Sequence, residues 1–317
     1  MPQLPRYALF ALTILFAAWC TNSLRGDLSL LSIAPLLRSW DIVAAAALLS
    51  LLNYVLRILR WRTFLAKLGH SFTLRFSAIT YVAGFAYTLS PGKVGEIVRA
   101  RYYVPRGVPL VGVTAAFFAE RLLDIIAMLV LASLLATAIT RFTSSLMLAV
   151  LIVIVVLTSI AFLPWTAIEA RLESSRRVPN WLRKILTGLV ATLISTRPLL
   201  QPAMLAGGFI TGLLAWGLEG AGLGLLTSIY PTVNLPLMSA LGIYGIAVLV
   251  GGLSFLPGGL GSTEVIMAGL LSSRGYPLSQ ALALTLVCRL VTLWLAVCLG
   301  WIAVFCLRQE SAPAVQA

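Results

Sequence analysis

Apolar residues dominate six long stretches of the chain: Tyr7–Leu24, Asp41–Leu59, Leu110–Ile139, Ser145–Leu163, Ala203–Ile229 and Leu278–Cys306. A helix needs about 20 such residues to cross a hydrocarbon core, so each stretch predicts a membrane span. Two shorter apolar segments, Phe76–Ser90 and Met238–Leu256, run into a Pro-Gly break. The pattern therefore predicts an all-α integral membrane protein, a polytopic helical bundle with two re-entrant or broken helical hairpins. No stretch is polar enough for a separate soluble domain. The expected organisation is one transmembrane domain over 1–307 and a short disordered tail at 308–317.

The two breaks belong to a degenerate internal repeat. The region 81–126 recurs at 244–293, and Ser90-Pro91-Gly92-Lys93-Val94-Gly95-Glu96 answers to Leu256-Pro257-Gly258-Gly259-Leu260-Gly261-Ser262-Thr263-Glu264. Two residues are inserted before the second glutamate. The register then holds, with Glu96 against Glu264, Gly107 against Gly275, Pro109 against Pro277 and Arg121 against Arg289. Paired interrupted segments in the two halves of a hydrophobic chain point to a transport site. Proline removes a backbone donor and glycine admits geometries closed to other residues, so helices are expected to stop at Pro91, Gly92 and Gly95 and at Pro257, Gly258 and Gly261.

Charge then fixes an orientation. The chain is 60% hydrophobic and 10% charged, with a formal net charge of +13. Its basic residues cluster beside apolar stretches, in Arg57–Arg75, Arg99–Arg106 and Arg171–Arg197, as cytoplasmic loops and lipid-headgroup contacts do. That placement argues against a nucleic-acid partner. If the first two clusters are both cytoplasmic, Phe76–Arg101 dips into the membrane and returns on one side. The second motif then enters from the opposite side, which makes the repeat inverted. Met238–Leu256 is also long enough to cross alone, and both arrangements stay open. Trp181–Ile194, basic along one edge, reads as an interfacial helix or as the lead-in to another span.

Few side chains could carry chemistry. His70 is the single histidine, the cysteines form no Cys-x-x-Cys pair, and Gly92-Lys93-Val94 lacks the spacing of a phosphate loop. No enzyme activity, cofactor or metal is expected. Arg121 and Arg289 lie well inside apolar stretches, where an arginine costs about 2.5–3.5 kcal/mol on insertion scales and faces a partner or a wet cavity. Glu120 and Asp124 share the first of these stretches, and Asp124 is placed to pair with Arg121 across one turn. Their counterparts in the second copy are Cys288 and Thr292, so the arginine persists where the acids do not. The expected partners are Glu96 and Glu264, or an anionic substrate. A structural Arg–Glu lock and a substrate site are both compatible with the spacing, as are glutamates that merely cap the helices after the breaks. Glu219, in a glycine-rich stretch, is a third acid for the same cavity, and Lys93 an added phosphate contact. Glu96 or Glu264 could also couple movement to protons.

At Ser90–Glu96, Glu120–Asp124 and Phe255–Glu264 the chain resembles the flippase-like transmembrane domain of lysylphosphatidylglycerol synthases, and the resemblance covers nearly its whole length. The Pro-Gly-x-x-Gly-Glu and Glu-Arg-x-x-Asp motifs carry it. The resemblance implies a lipid flippase in the cell (inner or cytoplasmic) membrane, acting on a lipid with a polar or anionic headgroup. The synthases' soluble aminoacyl-transfer domain has no counterpart in this sequence, so lysyl transfer is not implied. The alternative is a membrane partner that holds or presents lipid for an envelope-biosynthesis enzyme.

Overall fold

The computed structural model describes residues 34–136, 140–174, 178–231 and 233–310. The expected span Tyr7–Leu24 and residues 311–317 lie outside them. The described residues form helices and no strand. After a helical turn at Ala34–Arg38 come α1 (Trp40–Lys67) and α2 (Leu74–Phe85), then a 3₁₀ segment, Pro91–Arg99. Next are α3 (Leu110–Ala136), α4 (Thr140–Phe162), α5 (Trp165–Ser174), α6 (Asn180–Thr196) and α7 (Pro202–Thr227). The second half continues with α8 (Leu237–Leu253), a turn at Pro257–Gly259, and α9 (Ser262–Ser273). One continuous rod closes the bundle, made of α10 (Leu278–Arg289), a π-helical turn at Leu290–Trp294, and α11 (Leu295–Glu310).

Among the described residues, α1, α7 and the rod from Leu278 to Leu307 are each long and apolar enough to cross a membrane. The pair Met147–Phe162 and Trp165–Ser174, bent by 75°, supplies a fourth if it counts as one span. α3 is as long as these, at 27 residues, but carries Glu120, Arg121 and Asp124. Exposed apolar side chains crowd α4, including Leu148, Leu151, Ile152 and Val155. On a spanning helix such a surface faces lipid, so the chain is an all-α, multi-pass membrane protein.

Glycine sets how closely the spans approach, because lipid tails supply no hydrophobic drive between helices and small residues let backbones meet. A Cβ at Gly242 or Gly245 of α8 would sit 2.6 Å from Leu135 Cβ or 2.8 Å from Leu131 Cβ of α3. A Cβ at Gly300 of α11 would overlap the backbone of Phe85 and Ala86, where α2 ends. The helices that carry the two halves therefore interlock: α3 against α8, α1 against α7, α2 against α11.

The local geometry of the repeat recurs with it. Gly107 and Gly275 both take a left-handed φ, +88° and +103°. At the first, Gly107 N–H donates to Val104 O and Val108 N–H to Tyr103 O. At the second, Gly275 N–H donates to Ser272 O and Tyr276 N–H to Leu271 O. After each turn a proline, Pro109 or Pro277, opens the next helix, and Val113 or Ala281 donates back to it. The two Pro-Gly breaks also meet in space, since the Pro91–Arg99 segment packs on Pro257–Gly259. A Cβ at Gly258 would lie 2.7 Å from Leu89.

Candidate functional site

The polar interior is assembled from α1, the first break and α3. Glu120 and Asp124, one turn apart on α3, point at α1 and receive Arg60: its Nη2 lies 2.6 Å from Asp124 Oδ1 and 3.4 Å from Glu120 Oε1. The 3₁₀ segment delivers Glu96 and Arg99 on one face. Arg99 Nη2 donates to Glu96 Oε2 at 2.7 Å, and its Nη1 to Glu120 Oε2 at 3.0 Å. Thr88 holds Glu96 Oε1 at 2.8 Å, and the Tyr81 hydroxyl donates to Glu120 Oε1. Arg99 is wholly buried, its guanidinium carbon 3.8 Å from the centre of the Tyr81 ring and 4.9 Å from that of Trp61. Cations over aromatic faces in a desolvated site gain from the ring quadrupole.

Two glycines leave room for this cluster. A Cβ at Gly84 would stand 2.6 Å from Arg99 Nε, and one at Gly212 would stand 2.6 Å from Arg60 Nη1. Arg121 forms the outer edge: its Nη2 is 3.1 Å from Asp124 Oδ2, 3.4 Å from Glu120 Oε1 and 3.8 Å from Glu96 Oε2. The expected contacts of Arg121 with Asp124 and with the motif glutamate are thus both present.

The second copy is simpler. Arg289 Nε pairs with Glu264 Oε1 at 2.6 Å, and its Nη2 donates to Gly258 O at 2.7 Å. Glu264 Oε2 accepts the Gly261 N–H at 2.6 Å, so this glutamate caps α9 and locks Arg289 at once. Non-helical backbone at membrane depth needs such internal partners. Gly258 and Gly261 have φ of +60° and +85°, as expected of break glycines. Gly95 serves instead by having no side chain: its N–H donates to Ser90 Oγ at 2.6 Å, and a Cβ there would meet Tyr87 O at 2.7 Å. Pro91 opens the 3₁₀ turn that contains Gly92, and Pro257 opens the shorter second turn. Glu96 departs from expectation, lying well inside the 3₁₀ segment with no helix N-terminus to cap. The side chain of Lys93 lies outside the described residues.

Arg57, Arg60 and Arg99, which sequence places in cytoplasmic clusters, require a correction. α1 runs to Lys67, well past the predicted end at Leu59, and carries Arg57 and Arg60 into the interior. Arg62, Lys67, Arg75, Arg101 and Arg106 stay exposed, so both clusters keep basic residues at the surface. The signal that separates the two groups is spacing. Arg57 and Arg60 share a helix face with Asn53, whose side chain donates to Ala215 O of α7, whereas Arg62 points away.

Between the halves lies a cavity of about 280 Å³ bordered by Arg121, Asp124 and Arg289 on its polar side. Its other wall includes Leu253, Phe255 and Leu256, which are 60%, 70% and 44% exposed. A smaller recess of about 50 Å³ adjoins it, sharing Trp216, Val248, Arg289 and Leu293, and is lined by Arg57, Glu96, Glu219, Tyr54, Tyr244 and Thr88. Glu219 Oε2 accepts the Ser50 hydroxyl at 3.0 Å. Arg121, Arg289, Glu96 and Glu219 are thus gathered around two adjoining spaces, while Glu264 reaches them through Arg289. Glu120 supports the cavity from behind. No cluster of metal-ligating side chains occurs among the described residues.

Comparison with known proteins agrees with this architecture. Residues 6–300 match the family described as the lysylphosphatidylglycerol synthase TM region. A UPF0104 membrane protein of Methanothermobacter thermautotrophicus is 28% identical over 333 aligned residues, covering 98% of this chain and 96% of that protein.

Proposed function

The chain belongs to the lysylphosphatidylglycerol synthase TM-region family, and from that premise we propose that it moves a lipid with a polar or anionic headgroup between the leaflets of the cell (inner or cytoplasmic) membrane. The observation that supports this reading is the two-sided cavity, with arginine and carboxylate at one wall and exposed leucine and phenylalanine at the other. An amphiphile fits such a space with its headgroup on Arg121 and Arg289 and its tails left among lipid. The local geometry recurs in the two halves, and in this reading they form an inverted repeat in which rocking of one half against the other opens the cavity to each leaflet in turn. In this reading the protein is a transporter and performs no covalent chemistry.

The test is translocation of a fluorescent phospholipid and of a polyprenyl-phosphate analogue in liposomes, comparing wild type with Arg121→Ala plus Arg289→Ala. Translocation by wild type and its loss in a folded double variant are expected. Lipid bound but never moved by the wild type would refute transport and favour a protein that presents lipid to an envelope-biosynthesis enzyme.

A further inference from the structure

The rod that closes the bundle is α-helical except at Leu290–Trp294, where it makes one π-turn. Leu295 N–H reaches back five residues to Leu290 O, the mark of that turn, and also donates to Thr292 O. The repeat supplies an internal comparison. Residues 122–126, the counterpart of Leu290–Trp294 in the first copy, lie inside the unbroken α-helix α3. The wide turn therefore belongs to the second copy alone. Such turns are rare inside α-helices and occur mostly at functional sites.

The two ends of the rod are tied to different parts of the molecule. α10 packs on α9 and α7, and Arg289 at its end is bonded to Glu264 of α9 and to Gly258 O of the second break. α11 packs on α2, where Gly300 admits the backbone of Phe85 and Ala86 just ahead of the first break. The π-turn falls between these attachments, directly after Arg289. Leu293 lines both spaces between the halves, and Thr292 the smaller one. One side chain clamps the turn from outside the rod. The buried Tyr54 of α1 donates its hydroxyl to Thr292 O at 2.6 Å. The Thr292 hydroxyl in turn donates to Cys288 O at 2.8 Å, across the junction with α10.

A π-turn interrupts the regular ladder at one place and keeps its hydrogen bonds within the helix, so a rod can bend or twist there without exposing backbone to lipid. We propose that Leu290–Trp294 is the joint of the second half, at which α10, with Arg289 at its end, turns against α11, and that Tyr54 holds this joint in its present arrangement. This rests on the translocation reading, in which a rod tied to both Pro-Gly breaks must yield somewhere as the halves rock. α10 and α11 then stay rigid, and Arg289 carries its wall of the cavity with the second break.

Deleting Leu290 tests the joint, because a π-turn shortened by one residue closes as α-helix while the segments on either side keep their facing. Leu290 is exposed and borders neither space, so Leu290→Ala controls for the loss of its side chain. Full-length protein in liposomes is assayed for translocation of a fluorescent phospholipid, and its amide exchange is followed by mass spectrometry. Wild-type amides over 290–295 should exchange about tenfold faster than those over 122–127. The deletion should fold, remove that difference and slow translocation about tenfold or more, whereas Leu290→Ala moves lipid at the wild-type rate. Tyr54→Phe should speed exchange over 290–295 about fivefold, the equivalent of one hydrogen bond of about 1 kcal/mol, and leave 122–127 unchanged. A folded deletion variant that translocates at the wild-type rate overturns the joint. Wild-type amides over 290–295 that exchange as slowly as those over 122–127 overturn it too. If the deletion does not fold, Tyr54→Phe decides, and unchanged exchange over the turn overturns the joint. Wild type that moves no lipid while these amides exchange fast refutes translocation alone.

Discussion

Glu120→Gln and Arg57→Met should have very unequal consequences for stability, although the two side chains lie 3.7 Å apart. Glu120 is wholly buried and accepts from Tyr81, Arg60 and Arg99, with Arg57 and Arg121 also within 4 Å. Glutamine keeps the shape but brings an amide N–H₂ into a shell made of donors. It also leaves four guanidiniums facing Glu96 and Asp124 alone. Removing one partner from a buried ion network costs about 3–5 kcal/mol, and Glu120→Gln should fall in that range. Arg57→Met removes the guanidinium that makes no hydrogen bond through Nε or Nη2 and carries the excess charge. Its packing against Trp216 and Phe85 is largely retained by the methionine. The expected cost is under about 1 kcal/mol, with a net gain possible where a buried unpaired charge is replaced by an apolar group.

The pair should also couple. In the double variant the lost carboxylate no longer leaves Arg57 uncompensated, so the combined cost should be less than the sum of the singles by about 1–3 kcal/mol. SDS titration in mixed micelles, followed by circular dichroism, measures all three variants. An Arg57→Met cost as large as that of Glu120→Gln would refute the reasoning, since Arg57 would then be a structural counter-ion. Additive effects would refute it too.

Other perturbations test separate contacts. Glu264→Gln can still accept the Gly261 N–H and should lose only the ionic part of its bond to Arg289, about 1–2 kcal/mol, whereas Glu264→Ala also uncaps α9 and should cost about 1 kcal/mol more; the same titration ranks them. Gly300→Ala drives a methyl into the Phe85–Ala86 backbone and should cost about 1–3 kcal/mol or more, read as reduced folded yield and a lower midpoint. Tyr54→Phe removes the 2.6 Å hydrogen bond to Thr292 O in the π-turn and should cost about 1 kcal/mol, with faster amide exchange over Leu290–Trp294.

Much of this was legible in the chain. The helices at Leu110, Pro202 and Leu278 follow the apolar stretches, and the breaks fall at the Pro-Gly pairs. The pairing of Arg121 with Asp124 follows from one-turn spacing, and that of Arg289 with Glu264 from the cost of an isolated buried charge. Arg57, Arg60 and Arg99 escaped because a positive charge near the end of an apolar run has two physical solutions. It can mark a loop in water, or extend the helix and bury itself against acids elsewhere in the chain. Composition cannot separate these. The acids at 96, 120 and 124 supply the second solution only once α1, α3 and the first break are brought together; the one local trace is the helix face that Arg57 and Arg60 share with Asn53, and Arg99 leaves none.

The repeat itself explains why only one half holds the dense cluster. With Glu96 set against Glu264, Arg99 corresponds to Met267, Glu120 to Cys288 and Asp124 to Thr292. Each replacement is a side chain that can be buried without a partner ion: Met267 and Cys288 are 0% and 1% exposed, and Thr292 satisfies itself by donating to Cys288 O. A buried ion network is stable only when complete, and the second half, which lacks all three charges, carries neutral side chains at each of these positions. What survives in both halves is the smallest self-consistent unit, one arginine on one motif glutamate. In the second half that unit is closed, with Arg289 bonded to Glu264 and Gly258. In the first half Arg121 reaches Glu96 only at 3.8 Å, because Arg99 holds that carboxylate more closely. Arg99 thus draws Glu96 away from Arg121, which turns to Asp124 and Glu120 instead, and the closed two-residue lock of the second half becomes an open, shared network in the first.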